Sequence, residues 1–152
     1  MNTANTDQGI ILNTKLYREP ISVSLARQEI REILGRDHPA MPLLELAASE
    51  LVTNGLKHSD RGLGRHWLEV TLIASVDSFC LSVIDSGSLF ASVEIPEQRR
   101  EAQSGYGLAL IERISRRRWG TRILPDNRRV VWCEIDANPT TEAIESLFAA
   151  PE

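Results

Sequence analysis

Two polar side chains in the stretch SELVTN have the spacing of a cooperating pair. Glu50 and Asn54 lie four residues apart, so on a helix both project from one face, one turn apart. The amide oxygen of Asn54 suits a hard cation such as Mg²⁺, and the carboxylate of Glu50 suits orienting or deprotonating a nucleophile. An ordinary solvated helix face shows the same spacing, and for this pair alone that interpretation stays open.

A carboxylate ends the apolar run FCLSVID. In a strand, Asp85 shares a face with Phe79, Leu81 and Val83, where it needs a hydrogen-bond donor. The exocyclic amine of adenine is such a donor, whereas guanine has a carbonyl oxygen there, so Asp85 would select adenine. Gly87 would let the backbone approach a flat ring. The alternative is an Asx turn that closes the strand.

A glycine-rich segment, Gly105-Tyr106-Gly107-Leu108, opens a predicted helix. Glycines allow close approach of the backbone to phosphate, and the free N–H groups at a helix start bind anions. A lone Gly-x-Gly is common in loops, and an ordinary loop remains the alternative.

Hydrophobic periodicity predicts the elements that position these residues. We expect strands at 15–18, 67–74, 79–84, 122–124 and 130–135, and helices at about 22–34, 43–57 and 107–118, the last stopped at Trp119-Gly120. Residues 86–104 lack periodicity, as in a functional lid or a disordered segment. Strand pairs with helices grouped between them favour an α+β two-layer sandwich.

The composition fits one globular domain. The chain has 152 residues, 42% of them hydrophobic and 25% charged, with a formal net charge of -4. This charge argues against the whole chain as an electrostatic binder of nucleic acid, and the polar N-terminus predicts no signal peptide. We expect a cytoplasmic protein with buried free thiols at Cys80 and Cys133. We divide it into a flexible N-terminus (1–13), a domain (14–137) and a C-terminal tail (138–152) with a weak amphipathic segment.

Taken together, the polar features resemble three nucleotide-binding boxes of the GHKL (histidine-kinase-like) ATPase superfamily. The closest resemblance is to its small anti-sigma-factor serine kinases of the RsbW and SpoIIAB type. It lies between residues 45 and 135, in ELAASELVTNGLKHS, LSVIDSG, SGYGLALIERISRRRWG and RRVVWCEI. It implies the Bergerat ATP-binding fold, with a mostly antiparallel mixed sheet and helices on one face.

The resemblance also implies roles for single residues. Glu50 would be the general base, Asn54 the Mg²⁺ ligand and Asp85 the acceptor of the adenine amine, with Gly87 beside the ring. Residues 88–104 would form the ATP lid. The remaining contacts to ATP would come from Gly105, Tyr106, Gly107 and Leu108.

The sequence departs from the family pattern at two positions. Leu89 stands where the second box would have a lid glycine, and Val130 stands where many relatives have a small hydroxyl residue in the last strand. The first change bears on lid mobility and the second on a water-mediated contact to adenine. Weak or slow nucleotide binding follows as a possibility.

Other polar groups have ordinary explanations. His38, His58 and His66 lack the spacing of metal ligands, which favours structural or solvent-facing roles. A basic cluster is typical of a solvated helix face, although Arg116 and Arg117 could read an acidic partner and Arg99 and Arg100 a γ-phosphate. The cluster comprises Arg113, Arg116, Arg117 and Arg118.

Two functions of different class remain. The first is a serine kinase that uses ATP and Mg²⁺, holds a sigma factor and phosphorylates an anti-sigma-factor antagonist in a partner switch. The second is a catalytically weak or inactive ATP-binding module that sequesters a regulatory protein. A sensor histidine kinase is disfavoured, because no helical segment with a phosphoacceptor histidine precedes the ATPase region. We expect a homodimer that binds neither nucleic acid nor membrane.

Overall fold

The computed structural model of the protein describes residues 9–58, 67–85 and 108–149. Within these ranges the chain forms five strands and four helices, in an order that matches the predicted one up to the last helix. The elements are β1 (Gly9–Tyr17), α1 (Ile21–Leu34), α2 (Met41–His58), β2 (Trp67–Ala74), β3 (Ser78–Asp85), α3 (residues 108–114), β4 (Trp119–Ile123), β5 (Arg129–Asp136) and α4 (Thr141–Phe148).

The strands form one open sheet in the order β1-β2-β3-β5-β4. Both expected hairpins, β2–β3 and β4–β5, are present, and the predicted α+β sandwich is confirmed. The expectation of a mixed sheet is wrong for the described strands, because every pairing among them is antiparallel.

A hydrophobic core lies between the helices and one face of the sheet. Alternate strand residues are buried in it, as the period of two requires. Helix α2 contributes a broad apolar face that packs on β3 and β5. The central buried side chains include Ile30, Leu44, Leu51, Val52, Leu68, Val70, Leu72, Leu81, Val83, Ile111, Ile114, Cys133 and Ile135.

The first strand is longer than the sequence pattern indicated. β1 begins at Gly9 and pairs with β2 as far as Ala74, so residues 9–13, expected to be irregular, belong to the sheet. Leu12 and Leu16 are buried on its inner side. Pairing along all eight residues of β2 explains the extension, because it satisfies backbone groups that the polar side chains of this segment do not reveal.

Helix α3 ends before the predicted stop at Trp119-Gly120. Arg116 and Arg117 have φ angles of 55° and 68°, and the Arg117 N–H donates to the Glu112 carbonyl at 2.8 Å. This left-handed turn closes the helix without a glycine. Trp119 and Gly120 instead begin β4, where they pair with Cys133 and Trp132.

The segment after β5 contains a capped helix. The Thr140 hydroxyl accepts a hydrogen bond from the Ala143 N–H at 3.0 Å, as a helix N-cap does. Ile144 and Leu147 pack against the core. The weak amphipathic segment of the expected tail is therefore helix α4, docked on the domain.

Both cysteines are free, and burial differs between them. Cys133 is fully buried and Cys80 is partly buried on the opposite face of the sheet. Burial, reinforced by the neighbouring Cys80, raises the pKa of the Cys133 thiol to about 12. Burial, reinforced by Glu134, also raises the pKa of Cys80. Both groups are protonated at neutral pH. The expectation of free thiols is confirmed, but the expected burial is complete only for Cys133.

Candidate functional site

The site is built on the last turns of α2. Asn54 lies one turn beyond Glu50, as the spacing predicts, and only 9% of Asn54 is exposed. The adjacent Gly55 allows the helix to approach the sheet closely: a Cβ there would lie 3.1 Å from Cδ2 of Leu68 and 3.4 Å from Cγ1 of Val83. The close approach brings the Asn54 amide within reach of the strands.

Asp85 is the last residue of β3 and is 1% exposed. It lies on the same buried face as Phe79, Leu81 and Val83, so the expected strand phase is confirmed. A carboxylate this deeply buried requires charged or hydrogen-bonding partners. The neighbouring strand supplies one of them.

Arg129 begins β5 directly opposite Asp85. Its Nη2 donates to Oδ1 of Asn54 at 2.7 Å and to Oδ2 of Asp85 at 2.9 Å, and its Nε donates to the same carboxylate oxygen at 3.1 Å. The Arg129 side chain is 22% exposed, so its guanidinium lies between the core and the surface. One cation thus connects α2, β3 and β5; we call Asn54, Asp85 and Arg129 the triad.

The triad decides between two interpretations of Asn54. A solvated helix face would leave the amide in water, whereas here it is buried and accepts a short hydrogen bond from Arg129. Asn54 therefore belongs to a buried polar cluster. The carboxylate of Glu50 makes no hydrogen bond or ion pair with any residue of the described ranges, and Glu50 itself is partly buried. The described part of the chain therefore leaves this carboxylate available to a reacting group.

Arg129 was missed by the sequence prediction, which placed the altered family position at Val130. In the observed register, Val130 faces Ile84 and Arg122, and Arg129 faces Asp85. The alternation of side chains along β5 could have identified Arg129. Arg129 alternates with the buried residues Val131, Cys133 and Ile135, so a period of two already places it on the inner face.

Mg²⁺ does not fit this arrangement as it stands. The Asn54 oxygen expected to bind the ion already accepts a charged hydrogen bond, and a divalent cation would meet a guanidinium beside it. Within the described ranges no group of three or more His, Cys, Asp or Glu side chains could hold a metal ion. We therefore derive no chemical step through Mg²⁺ at Asn54.

Several expected contacts to the nucleotide lie outside the described residues: Gly87, the lid at 88–104 with Leu89, Arg99 and Arg100, and Gly105, Tyr106 and Gly107. Leu108 is described. It is partly buried at the start of α3, and its side chain packs against the core. Its contact to a nucleotide stays a prediction.

Two of the remaining candidates, His38 and Arg118, have structural roles. Nδ1 of His38 accepts a hydrogen bond from the Ala40 N–H at 3.1 Å, which stabilises the turn before α2. Arg118 bonds to Asp136 at 2.7 Å and to Glu134 at 3.4 Å, and thereby fastens the turn after α3 to β5. His66 and the side chain of His58 lie outside the described part.

Comparison with known proteins agrees with the fold. A family model for the histidine kinase-like ATPase domain matches residues 17–121. A search of curated protein sequences found no match. The match spans more than half of the chain, so the protein belongs to the histidine kinase-like ATPase family, a family of ATP-binding domains. The matched range includes Glu50, Asn54 and Asp85 and ends before Arg129. None of the described helices is long and apolar enough to cross a membrane.

Proposed function

We propose that the protein is an ATP-binding regulator of transcription that acts as an anti-sigma factor and as a serine kinase for the antagonist of that factor. The observation that carries this proposal is the meeting of Asn54 and Asp85 at one guanidinium, with Glu50, whose carboxylate has no partner among the described residues, one turn away. In this proposal Asp85 is the buried acceptor for a nucleobase and Glu50 is the candidate base, and the two residues belong to β3 and α2. Membership of a family of ATP-binding domains supports ATP as the ligand.

The reaction moves the γ-phosphoryl group of ATP to a serine hydroxyl. The bond between the γ-phosphorus and the bridging oxygen breaks, a bond from phosphorus to the serine oxygen forms, and ADP leaves. Glu50 takes the hydroxyl proton. Asp85 accepts from the adenine amine and fixes the base. The chain contributes position and proton transfer, which are the main protein contributions to phosphoryl transfer.

A transfer assay tests the kinase activity. The purified protein is incubated with labelled ATP and serine-bearing antagonist proteins encoded beside its gene. We expect Glu50→Ala to abolish transfer while ATP binding persists. Glu45→Ala is the matched control, because Glu45 lies on the same helix but pairs with Arg31 at 2.6 Å. If the unaltered protein transfers phosphate to none of these antagonist proteins, the proposed kinase activity is excluded.

The triad favours a second candidate, a nucleotide-binding module without catalysis. Arg129 engages the Asn54 oxygen that the family resemblance gives to Mg²⁺. A domain that binds ATP but lacks the metal would sequester its partner protein without phosphorylating another. Partner binding would then be indifferent to Glu50→Ala, whereas a kinase would release or retain its partner according to phosphorylation.

The assembly and location belong to the same proposal. We expect a homodimer in the cytoplasm, with a sigma factor or an anti-sigma-factor antagonist as the protein partner. Sedimentation equilibrium of the full chain, alone and with each candidate partner, measures both the dimer and the complex. A monomer at all concentrations would overturn the dimer without affecting the nucleotide site.

A further inference from the structure

Arg129 holds the position at Asn54 that a metal ion would need. A Mg²⁺ ion binds oxygen ligands at about 2.0–2.1 Å, and the Asn54 oxygen lies 2.7 Å from Nη2 of Arg129. An ion bound to that oxygen would stand within about 5 Å of the guanidinium nitrogen. Repulsion between a divalent ion and a fixed monovalent cation at this range opposes simultaneous binding.

The guanidinium is held firmly in this position. Two hydrogen bonds, one from Nε and one from Nη2, hold it against the Asp85 carboxylate, which is almost fully buried, and a third, from Nη2, goes to the Asn54 amide oxygen. If the guanidinium moved away, the buried Asp85 carboxylate would lose this positively charged partner, which is costly in a buried site. A passing metal ion therefore does not displace Arg129 easily, because Asn54 offers it only one neutral oxygen.

The same guanidinium retains donors for a ligand. Within the described residues, the two N–H groups of Nη1 donate to no acceptor, and the side chain is partly exposed. Arginine N–H groups match phosphate oxygens in geometry and charge. Arg129 can thus contact a polyphosphate while it remains bonded to Asn54 and Asp85.

We propose that Arg129 is the resident cation of the nucleotide site, which excludes Mg²⁺ from Asn54 and makes the binding of ATP independent of the metal. The proposal rests on the nucleotide binding proposed above and adds that ATP binds without a metal ion at Asn54. The site takes the nucleoside triphosphate with no metal ion bound to Asn54, and the chain itself supplies the positive charge there.

Equilibrium titration with ATP tests this, once with excess Mg²⁺ and once with EDTA, on the full-length protein. For the unaltered chain we expect dissociation constants within about 3-fold of each other, since no ligand of the metal is free in the triad. For Arg129→Gln, which removes the charge and keeps an amide donor, we expect the affinity in EDTA to fall at least about 10-fold. Added Mg²⁺ should restore it.

Two further variants make the test sharp. Arg128→Gln is the matched control, because Arg128 is the neighbouring arginine and pairs instead with Asp126 at 2.6 Å on the surface. It should behave as the unaltered chain. Arg129→Lys keeps the charge and should keep the metal independence. If Arg129→Gln does not fold, as judged by circular dichroism, a folded Arg129→Lys that binds ATP only with Mg²⁺ would still overturn the proposal.

Each outcome is decisive. A loss of ATP affinity of about 10-fold or more when EDTA is added to the unaltered chain overturns the proposal and leaves ATP binding intact. Equal behaviour of Arg129→Gln and Arg128→Gln also overturns it. No binding of ATP in either buffer by a folded protein refutes the nucleotide site itself, and the role of Arg129 with it.

Discussion

Nη2 of Arg129 lies 2.7 Å from Oδ1 of Asn54, and this single contact joins the end of α2 to the start of β5 across 75 residues of sequence. The same nitrogen donates to Asp85, so one side chain holds three elements together. Arg129 therefore has a structural effect that can be measured separately from any ligand.

We predict that Arg129→Gln lowers the free energy of unfolding by about 2–3 kcal/mol. Removing one partner of a fully buried pair costs about 3–5 kcal/mol, and the 22% exposure of Arg129 reduces this. Asp85→Asn should cost less, because it leaves a charge with access to water. In urea denaturation the double variant should cost at least about 1 kcal/mol less than the two single costs together. Additive costs would show that the pair is not coupled.

The ion pair between α1 and α2 should behave differently. Arg31 and Glu45 are 2.6 Å apart, but both side chains are about one-third exposed. Solvent screening and side-chain entropy limit such pairs to about 0.2–1 kcal/mol. We predict a loss within this range for Glu45→Gln, measured by the same urea method. A loss as large as that of Arg129→Gln would contradict the ranking by burial.

A glycine in the edge strand β4 packs tightly against an indole ring. A Cβ on Gly120 would lie 3.0 Å from two indole atoms of Trp132, so this partly buried ring would have to shift. We predict that Gly120→Ala lowers the free energy of unfolding by about 1–3 kcal/mol. Gly9→Ala is the control, because a Cβ there meets nothing within 4 Å, and its effect should stay within about 0.5 kcal/mol.

Sequence periodicity predicted the strands β2 and β3 nearly to the residue, because buried and partly exposed side chains alternate along all of β3 and along part of β2. It failed at β1, where partner strand pairing rather than side-chain pattern extends the strand to Gly9. It also failed at the end of α3, because arginine rarely adopts the left-handed conformation that Arg116 and Arg117 adopt.

For the site, sequence placed Glu50 and Asn54 on one helical face and Asp85 on the buried face of its strand. The helix period and the strand period are local properties, and they suffice for these three residues. The contact of Arg129 with Asn54 depends on which strand lies beside β3, which is a property of the sheet order. The sequence alone shows only that Arg129 lies on the inner face of β5. The contact between Arg129 and Asp85 can be inferred only once the two residues are known to lie opposite each other.

The thiol of Cys133 makes stability depend on alkaline pH. Its pKa is about 12 in the folded protein, because it is buried, against an ordinary value of 9.0. The folded state thus binds the proton more tightly than the unfolded state, so this contribution is complete below pH 9 and is lost as pH rises from about 9 towards 12. We predict that the loss of unfolding free energy between about pH 8 and pH 10 is about 1 kcal/mol smaller in Cys133→Ala than in the unaltered chain.

The matched control for this thiol is Cys80→Ala. Burial raises the pKa of Cys80 as well, but Cys80 is only partly buried, so its removal should reduce the pH dependence less. Comparing pH slopes rather than absolute stabilities removes the cost of the cavity that Cys133→Ala leaves, since that cost does not change with pH. Urea denaturation at both pH values measures the slopes. Equal slopes in all three chains would mean that the Cys133 proton does not differ in affinity between the folded and unfolded states.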